Sequence, residues 1–347
     1  MIAGDGIGKE VIPAGIEVVK KAAALCGAGI EFTEFPWGCD FYHRHGRMMD
    51  PDGFERLREF DAIYLGAIGD PSVPDHVSVW QLILPIRQRF DQYVNLRPMR
   101  LVAGAKTPLA GRGAPDIDMI CVRENSEGEY AGIGGRLHPG TPEDVAQQVS
   151  VMTRRGIERI ARYAFETASK RPRKLLASAT KSNALQYTMV LWDEVVDRVA
   201  ADYPGVSWRK YHVDALVARM VTDPGSLDVI VASNLFGDIL TDLGAAVSGS
   251  LGIAPSGNIN PERRYPSMFE PIHGSAPDIA GKGVANPIGA IWAGALMLDH
   301  LGAREGHDAI VAAIERVMGG SGPRTPDLGG RAGTKDVANA ILAEVRT

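Results

Sequence analysis

Asp238 and Asp242 stand four residues apart in Phe236-Gly-Asp-Ile-Leu-Thr-Asp-Leu-Gly, so on a helix both carboxylates face the same way. Stacked like charges repel unless a cation lies between them. Hard oxygen ligands select Mg²⁺ or Mn²⁺, and a third carboxylate such as Asp214 would complete the protein's share. The neighbours Ile239, Leu240, Leu243, Ala245 and Ala246 are apolar, which argues against a merely solvated face. A cation held there would grip a substrate's hydroxyl and carboxylate and acidify that hydroxyl. In such cationic company Lys181 would have a lowered pKa and could act as general base. Tyr130 is a candidate proton donor, although a lone tyrosine in a loop is more often only packing.

Arginines supply the complementary chemistry. Arg87, Arg89, Arg97 and Arg100 cluster between residues 84 and 100, and Arg123 closes the run Ile117 to Val122. Guanidinium forks bind carboxylates bidentately, so converging arginines suit a substrate with two carboxylates. Helical arginines at this spacing are otherwise solvated or paired with acids such as Asp91. That reading is preferred for Arg89 and Arg100, and Arg87, Arg97 and Arg123 are left open.

The elements that must position these groups read as α/β. Strands are expected at 61–65, 117–122, 174–178, 206–213 and 227–232, where short apolar, mostly β-branched runs occur. Helices are expected at 9–24, 150–169, 187–199 and 309–318, where apolar residues recur at helical spacing. Polar groups follow four strands: Arg123-Glu124-Asn125, Lys181-Ser182-Asn183, Asp214, and Asn234 to Asp238. In open α/β sheets ligands bind just beyond the carboxyl ends of strands. The stretch 129–143, rich in Gly and Pro, is expected to be a loop or projecting arm.

Gly4-Asp-Gly-Ile-Gly8 reads as a tight turn feeding a helix, since it is not a true GxGxxG motif. Taken by itself, the loop 270–287 reads as a rigid surface turn whose His273, Asp278 and Asn286 could touch a nucleotide. With 37 basic and 42 acidic side chains the net charge is −5, which offers no field for nucleic acid or an anionic membrane. Neither is expected as a partner. The three cysteines, Cys26, Cys39 and Cys121, lack metal-type pairing and fit reduced thiols, and no apolar run reaches the ~20 residues of a membrane span. The expectation is a cytoplasmic, unprocessed protein.

At these residues the sequence resembles the β-decarboxylating dehydrogenases, the family of isopropylmalate, isocitrate, homoisocitrate and tartrate/D-malate dehydrogenases. The resemblance runs from the Gly4 turn to Thr325-Pro-Asp-Leu-Gly-Gly, and rests chiefly on Asn234-Leu-Phe-Gly-Asp-Ile-Leu-Thr-Asp-Leu and His273-Gly-Ser-Ala-Pro-Asp. Pro74-Asp-His-Val-Ser-Val-Trp and Phe90-Asp-Gln-Tyr-Val-Asn-Leu-Arg-Pro look most like the D-malate/tartrate branch. The resemblance implies an isopropylmalate dehydrogenase-like two-domain α/β fold that is not a Rossmann fold. Its large domain would comprise 1–93 and 249–347, and its smaller central domain 94–248, dimerising through the arm.

Carried over by position, Arg87, Arg97 and Arg123 would hold substrate carboxylates with Asp238, and Tyr130 and Lys181 would be the acid and base. Asp214, Asp238 and Asp242 would bind Mg²⁺ or Mn²⁺, with a monovalent cation such as K⁺ left open. His273, Gly274, Ser275, Ala276, Asp278, Asn286 and Asp327 would bind the cofactor, and the acid at Asp278 resembles the members that use NAD. Lys181 and Asp214 would reach into the neighbouring subunit's site, making a homodimer the catalytic unit. Only Met1-Ile2-Ala3 precede Gly4 where the family places its first strand, so a shortened start is expected. Trp80, Ile83 and Leu84 precede Arg87 where the substrate's side group would lie, and a tryptophan there fills the volume an isopropyl group needs. The expected reaction is NAD-dependent oxidative decarboxylation of a (2R)-hydroxydicarboxylate, D-malate to pyruvate and CO₂ or tartrate oxidation. The rivals are a 3-isopropylmalate dehydrogenase and a non-catalytic regulatory subunit of a hetero-oligomeric dehydrogenase.

Overall fold

The computed structural model describes residues 1–346, and within them β-branched runs and polar strands build one large mixed sheet and one small ribbon. In chain order the strands are β1 (Ile2–Gly4), β2 (Ala62–Ala67), β3 (Val94–Arg100), β4 (Asp118–Glu124), β5 (Gly134–Leu137) and β6 (Val145–Gln148). They continue with β7 (Leu175–Thr180), β8 (Ser207–His212), β9 (Val229–Ala232), β10 (Pro255–Ile259) and β11 (Ser267–Pro271). The large sheet has the order β1-β2-β11-β10-β3-β4-β9-β7-β8. Within it β1, β2 and β11 run parallel, as do β4, β9, β7 and β8, and β10 and β3 join the two blocks antiparallel.

Five strands and four helices lie where hydrophobic pattern puts them. The missed strands are those whose residues hide the pattern. β3 carries Pro98 and three polar side chains; of the four clustered arginines, Arg87 and Arg89 are helical, but Arg97 and Arg100 lie on a strand. Pro98 is tolerated because β10 pairs only with Val94 to Leu96, and beyond that point β3 is bonded on one side. β10 and β11 are buried throughout yet contain Ser256, Asn258 and Glu270, so neither alternates. Ile2–Gly4 does form a strand, pairing parallel with β2 through Ile2 and Leu65.

Apolar packing gathers the helices into separate groups on the sheet. Helices Gly8–Leu25, Ile288–His300, Arg304–Gly319 and Thr334–Glu344 cover one face of β2 and β11, whose Tyr64 and Phe269 point into that cluster. Helices Arg154–Lys170 and Thr188–Ala200 pack on β4, β7 and β9 through Ile160, Phe165, Trp192 and Val231. Gly6 has a positive φ of +50°, and a Cβ on it would strike the Ser275 carbonyl. The amide of Ile7 donates to that carbonyl at 2.9 Å, so the glycine turn anchors the 270–287 loop. The stretch 129–143, expected as a loop or arm, contains β5, which pairs antiparallel with β6 just beyond that stretch in a ribbon whose strand residues are all exposed. No described helix is long and apolar enough to cross a membrane.

His300 ends its helix with its ring 5.5 Å from that of Phe269. Burial first, then the charge of Arg263, lowers its pKa from 6.5 to about 4. Between those two values the unfolded chain binds the proton that the folded chain refuses, so stability falls as the solution is acidified through this window. Urea denaturation at several pH values should show that slope, shallower in His300→Gln. An unchanged slope would remove His300 from the account.

Candidate active site

β4, β9, β7 and β8 are parallel neighbours, so their carboxyl ends lie in a row. Along that row stand Arg123 to Asn125, then Asn234, Lys181 and Asp214, which is the arrangement the sequence suggests. The helix Asn234–Val247 starts directly after β9 and carries Asp238 and Asp242 one turn apart. Gly237 lets the helix sit on the Arg123 stem, since a Cβ there would lie 2.6 Å from Arg123 Cγ.

Asp238 is the focus of the charge. Its Oδ1 accepts from Arg97 Nη1 at 3.2 Å and from Arg123 Nη1, and its Oδ2 from the Tyr130 hydroxyl at 3.4 Å. Asn234 Oδ1 accepts from Arg123 Nε and Nη2 at 3.1 and 2.6 Å, and Thr241 Oγ1 accepts from Arg97 at 2.6 Å. Burial opposes ionisation of Asp238, but Arg123, Arg97 and Arg87 together hold its carboxylate below the usual range. Asp242 moves the other way: burial and then the charge of Asp238 raise its pKa. Burial, followed by the charge of Arg97, lowers the Arg123 pKa to about 10. The Tyr130 phenol is pushed up by burial and by Asp238, and stays protonated at neutral pH.

Arg87 is buried and donates from Nη2 to Glu270 Oε1 at 2.8 Å. Beneath it lies a polar network that sequence reading missed. Asn258 Nδ2 donates to Glu270 Oε1 at 2.7 Å, and Asn258 Oδ1 accepts from Asn95 and Asn125 at 2.9 and 3.0 Å. The only signal for it in the sequence is polar residues inside strands too short to alternate. The buried Nε atoms of Arg87 and Arg97 have no protein partner.

Trp80 lies on a π-helical turn, Val79–Ile83, and is 38% exposed. Its indole faces Gly132, two residues after Tyr130, where a Cβ would come within 3.0 Å of Cζ3. Gln88 Nε2 donates to the Tyr130 carbonyl at 3.0 Å, tying the same turn to the Arg87 helix. Ile83 packs on the core beneath and Leu84 is buried.

Lys181 and Asp214 stand apart from this cluster. Lys181 Nζ bonds Asp214 Oδ1 at 2.6 Å, and that bond holds the Asp214 carboxyl below its ordinary range. The single chain thus does not give Lys181 the cationic company expected of it. Among the described residues no three His, Cys, Asp or Glu side chains gather to hold a metal ion. Asp238 and Asp242 stand one turn apart on the same helix, without a third such side chain beside them.

A cleft of about 800 Å³ opens beside the carboxyl end of the Asn234–Val247 helix, lined by His273, Ala276, Asn286, Asp327, Ser250 and Lys106 among others. Asp327 Oδ2 accepts from Ser250 Oγ at 2.6 Å and Asn286 Nδ2 at 2.9 Å, and its Oδ1 from Thr325 at 2.5 Å. His273 bonds the Gly274 carbonyl through Nδ1, and its buried Nε2 has no partner. Gly274 and Asp278 are exposed on the loop, and Asp278 does not line the cleft. Lys106 and Ser250 were not among the expected cofactor residues.

Residues 1–341 match the family model described as isocitrate/isopropylmalate dehydrogenase. The chain belongs to that family. It is 56% identical over 347 residues to the D-malate dehydrogenase (decarboxylating) of Escherichia coli strain K12, covering 98% of this chain and 96% of that protein. It is 53% identical over 348 residues to the tartrate dehydrogenase/decarboxylase of Pseudomonas putida, covering 98% and 95% of the two chains. Among solved structures, isocitrate dehydrogenase from Methylococcus capsulatus superposes with a TM-score of 0.90 at 34% identity, covering 100% of this chain and 98% of that one. The chain is an enzyme of this decarboxylating dehydrogenase type, on a mixed α/β fold.

Replacing Asn258 by leucine, matched in branching and heavy-atom count though larger, strips Asn95, Asn125 and Glu270 of a buried partner at once. Asn258→Leu should lower unfolding free energy by about 3 kcal/mol in urea denaturation. A loss below about 1 kcal/mol would mean the network reorganises freely.

Proposed function

We propose that the chain oxidises and decarboxylates a (2R)-hydroxydicarboxylate, D-malate foremost and tartrate beside it, using NAD and Mg²⁺ or Mn²⁺. The observation carrying this reading is the buried set Arg87, Arg97 and Arg123 around Asp238, beside Tyr130. Three guanidinium groups face two carboxylates, Asp238 and Glu270, which leaves positive charge over for a dianion.

Arg87, Arg97 and Arg123 orient the two substrate carboxylates. Asp238 and Asp242 are the residues of this chain that would hold the divalent ion, since their carboxylates stand one turn apart on one helical face. When bound, that ion supplies Lewis-acid polarisation of the substrate's oxygens. NAD, when bound in the cleft lined by His273, Asn286 and Asp327, supplies the hydride acceptor. Tyr130, kept protonated by burial and by Asp238, suits the return of a proton to carbon. Lys181 takes the hydroxyl proton, which requires that it leave Asp214 for a neighbouring site.

A homodimer meets that requirement. The β5–β6 ribbon exposes Leu137 and Val145 at 65% and 51%, and a two-stranded ribbon is marginally stable by itself. Leu185, Tyr187, Val190 and Ile239 are also exposed in the central region that carries Lys181 and Asp238. Apolar surface of this kind marks an association face.

Turnover of D-malate, the tartrates and 3-isopropylmalate under one metal condition tests the reading, with NADH and pyruvate measured together. D-malate should have the highest kcat/KM, and Trp80→Ala should improve 3-isopropylmalate relative to D-malate by about tenfold or more. A preference of the unaltered enzyme for 3-isopropylmalate would overturn the argument from Trp80. Substrate-dependent stabilisation without any NADH would favour a regulatory subunit.

A further inference from the structure

At the starts of β2 and β11, a cavity of about 300 Å³ is lined by Arg58, Asp61, Arg263, Arg264, Tyr265 and His300, together with Phe60, Pro266 and Leu301. His273 follows the end of β11 and Arg263 precedes its start, so this cavity is separated from the cofactor cleft by the length of that strand. It shares no residue with the Asp238 cluster.

Its charge is unbalanced. Among the described residues none of Arg58, Arg263 and Arg264 forms an ion pair or donates a side-chain hydrogen bond, although Arg58 lies over the Tyr265 ring at 5.2 Å. The acids nearby are committed elsewhere. Glu262 takes the Tyr93 hydroxyl at 2.8 Å, Asp299 pairs with Arg304 at 3.1 Å, and Asp91 pairs with Arg159 at 2.7 Å. Asp61 is the one carboxylate in the lining, against three guanidinium groups.

The turn bearing the arginines is also held in place. Asn260 Oδ1 accepts from the Arg264 amide at 2.8 Å, Asn260 Nδ2 donates to the Asp91 carbonyl at 3.0 Å, and Gln92 Nε2 donates to the Pro266 carbonyl at 2.7 Å. Arg263 itself is kept at a φ of +54°, a costly conformation for a non-glycine residue. His300 feels the resulting positive field, which adds to burial in keeping it neutral.

We propose that this cavity binds a phosphate-class dianion, as free phosphate or as the phosphate of a small metabolite. Planar guanidinium forks match the oxygens of such an anion, and these exposed, unpaired forks break no ion pair in binding it. Neutral His300 offers a further hydrogen-bonding edge. Because β10 and β11 carry Asn258 and Glu270 to Arg87, an anion at this turn rests on the same two strands that brace the substrate arginine.

Calorimetric titration with inorganic phosphate and with ribose 5-phosphate, at constant ionic strength and with excess D-malate present, tests the site. Saturable binding should weaken by about tenfold or more in Arg263→Ala/Arg264→Ala, and in Arg58→Gln as a milder variant, but not in Arg209→Ala, an exposed arginine elsewhere. Tighter binding of ribose 5-phosphate would identify the metabolite as the source, and equal binding free phosphate. Undiminished binding in both variants, or displacement of phosphate by D-malate, would overturn the proposal, since either places the anion at the substrate arginines.

Discussion

Asp238 carries the balance of charge on which the rest of this site depends. Two guanidinium groups, Arg97 and Arg123, are buried against it, and a third, Arg87, lies close enough to depress its pKa. Taking such cations out of water costs several kcal/mol each unless an ionised partner is present. Asp238 therefore stays charged, and its charge falls on Asp242 one helical turn away, whose own ionisation becomes unfavourable. The same carboxylate receives the Tyr130 hydroxyl and keeps that phenol protonated. One residue thus ties together the arginines, the phenol and the second acid to which the proposed reaction assigns substrate binding, proton donation and the cation.

The scaffold explains why so many functions meet there. Parallel packing of β4, β9, β7 and β8 sets Arg123, Asn234, Lys181 and Asp214 along one edge. The helix after β9 then carries Asp238 across to Arg97 on β3. On the other side, β10 and β11 bring Asn258 and Glu270 under Arg87, and the Gly6 turn fastens the loop that begins at Glu270. Helix, strand and loop are each short, and the polar network between them replaces the apolar contacts such strands normally make.

Much of this was legible before any coordinates. The spacing of Asp238 and Asp242 predicts two carboxylates on one helical face, and the positions of Lys181 and Asp214 after apolar runs predict a row of groups at strand ends. Alternation and helical periodicity report apolar burial, so they find β2, β4, β7, β8 and β9. They fail for β3, β10 and β11, because Asn95, Arg97, Asn258 and Glu270 are buried by hydrogen bonding rather than by hydrophobicity. Lys181 and Asp214 show the opposite limit. The roles proposed for them need surroundings that one chain does not provide, and within the chain they neutralise each other at the surface.

An exposed ion pair of that kind is weak, so in the proposed homodimer Lys181 and Asp214 would exchange partners at little cost for Asp238 and Asp242 of a second copy. The central claim is that acids of two chains share one ion. Asp214→Asn and Asp242→Asn, each inactive alone, can be produced together in one cell so that mixed dimers form. Such dimers contain one intact site, and the mixture should recover roughly a quarter of the unaltered activity with D-malate. No recovery from verified mixed dimers would contradict a site built across the two chains.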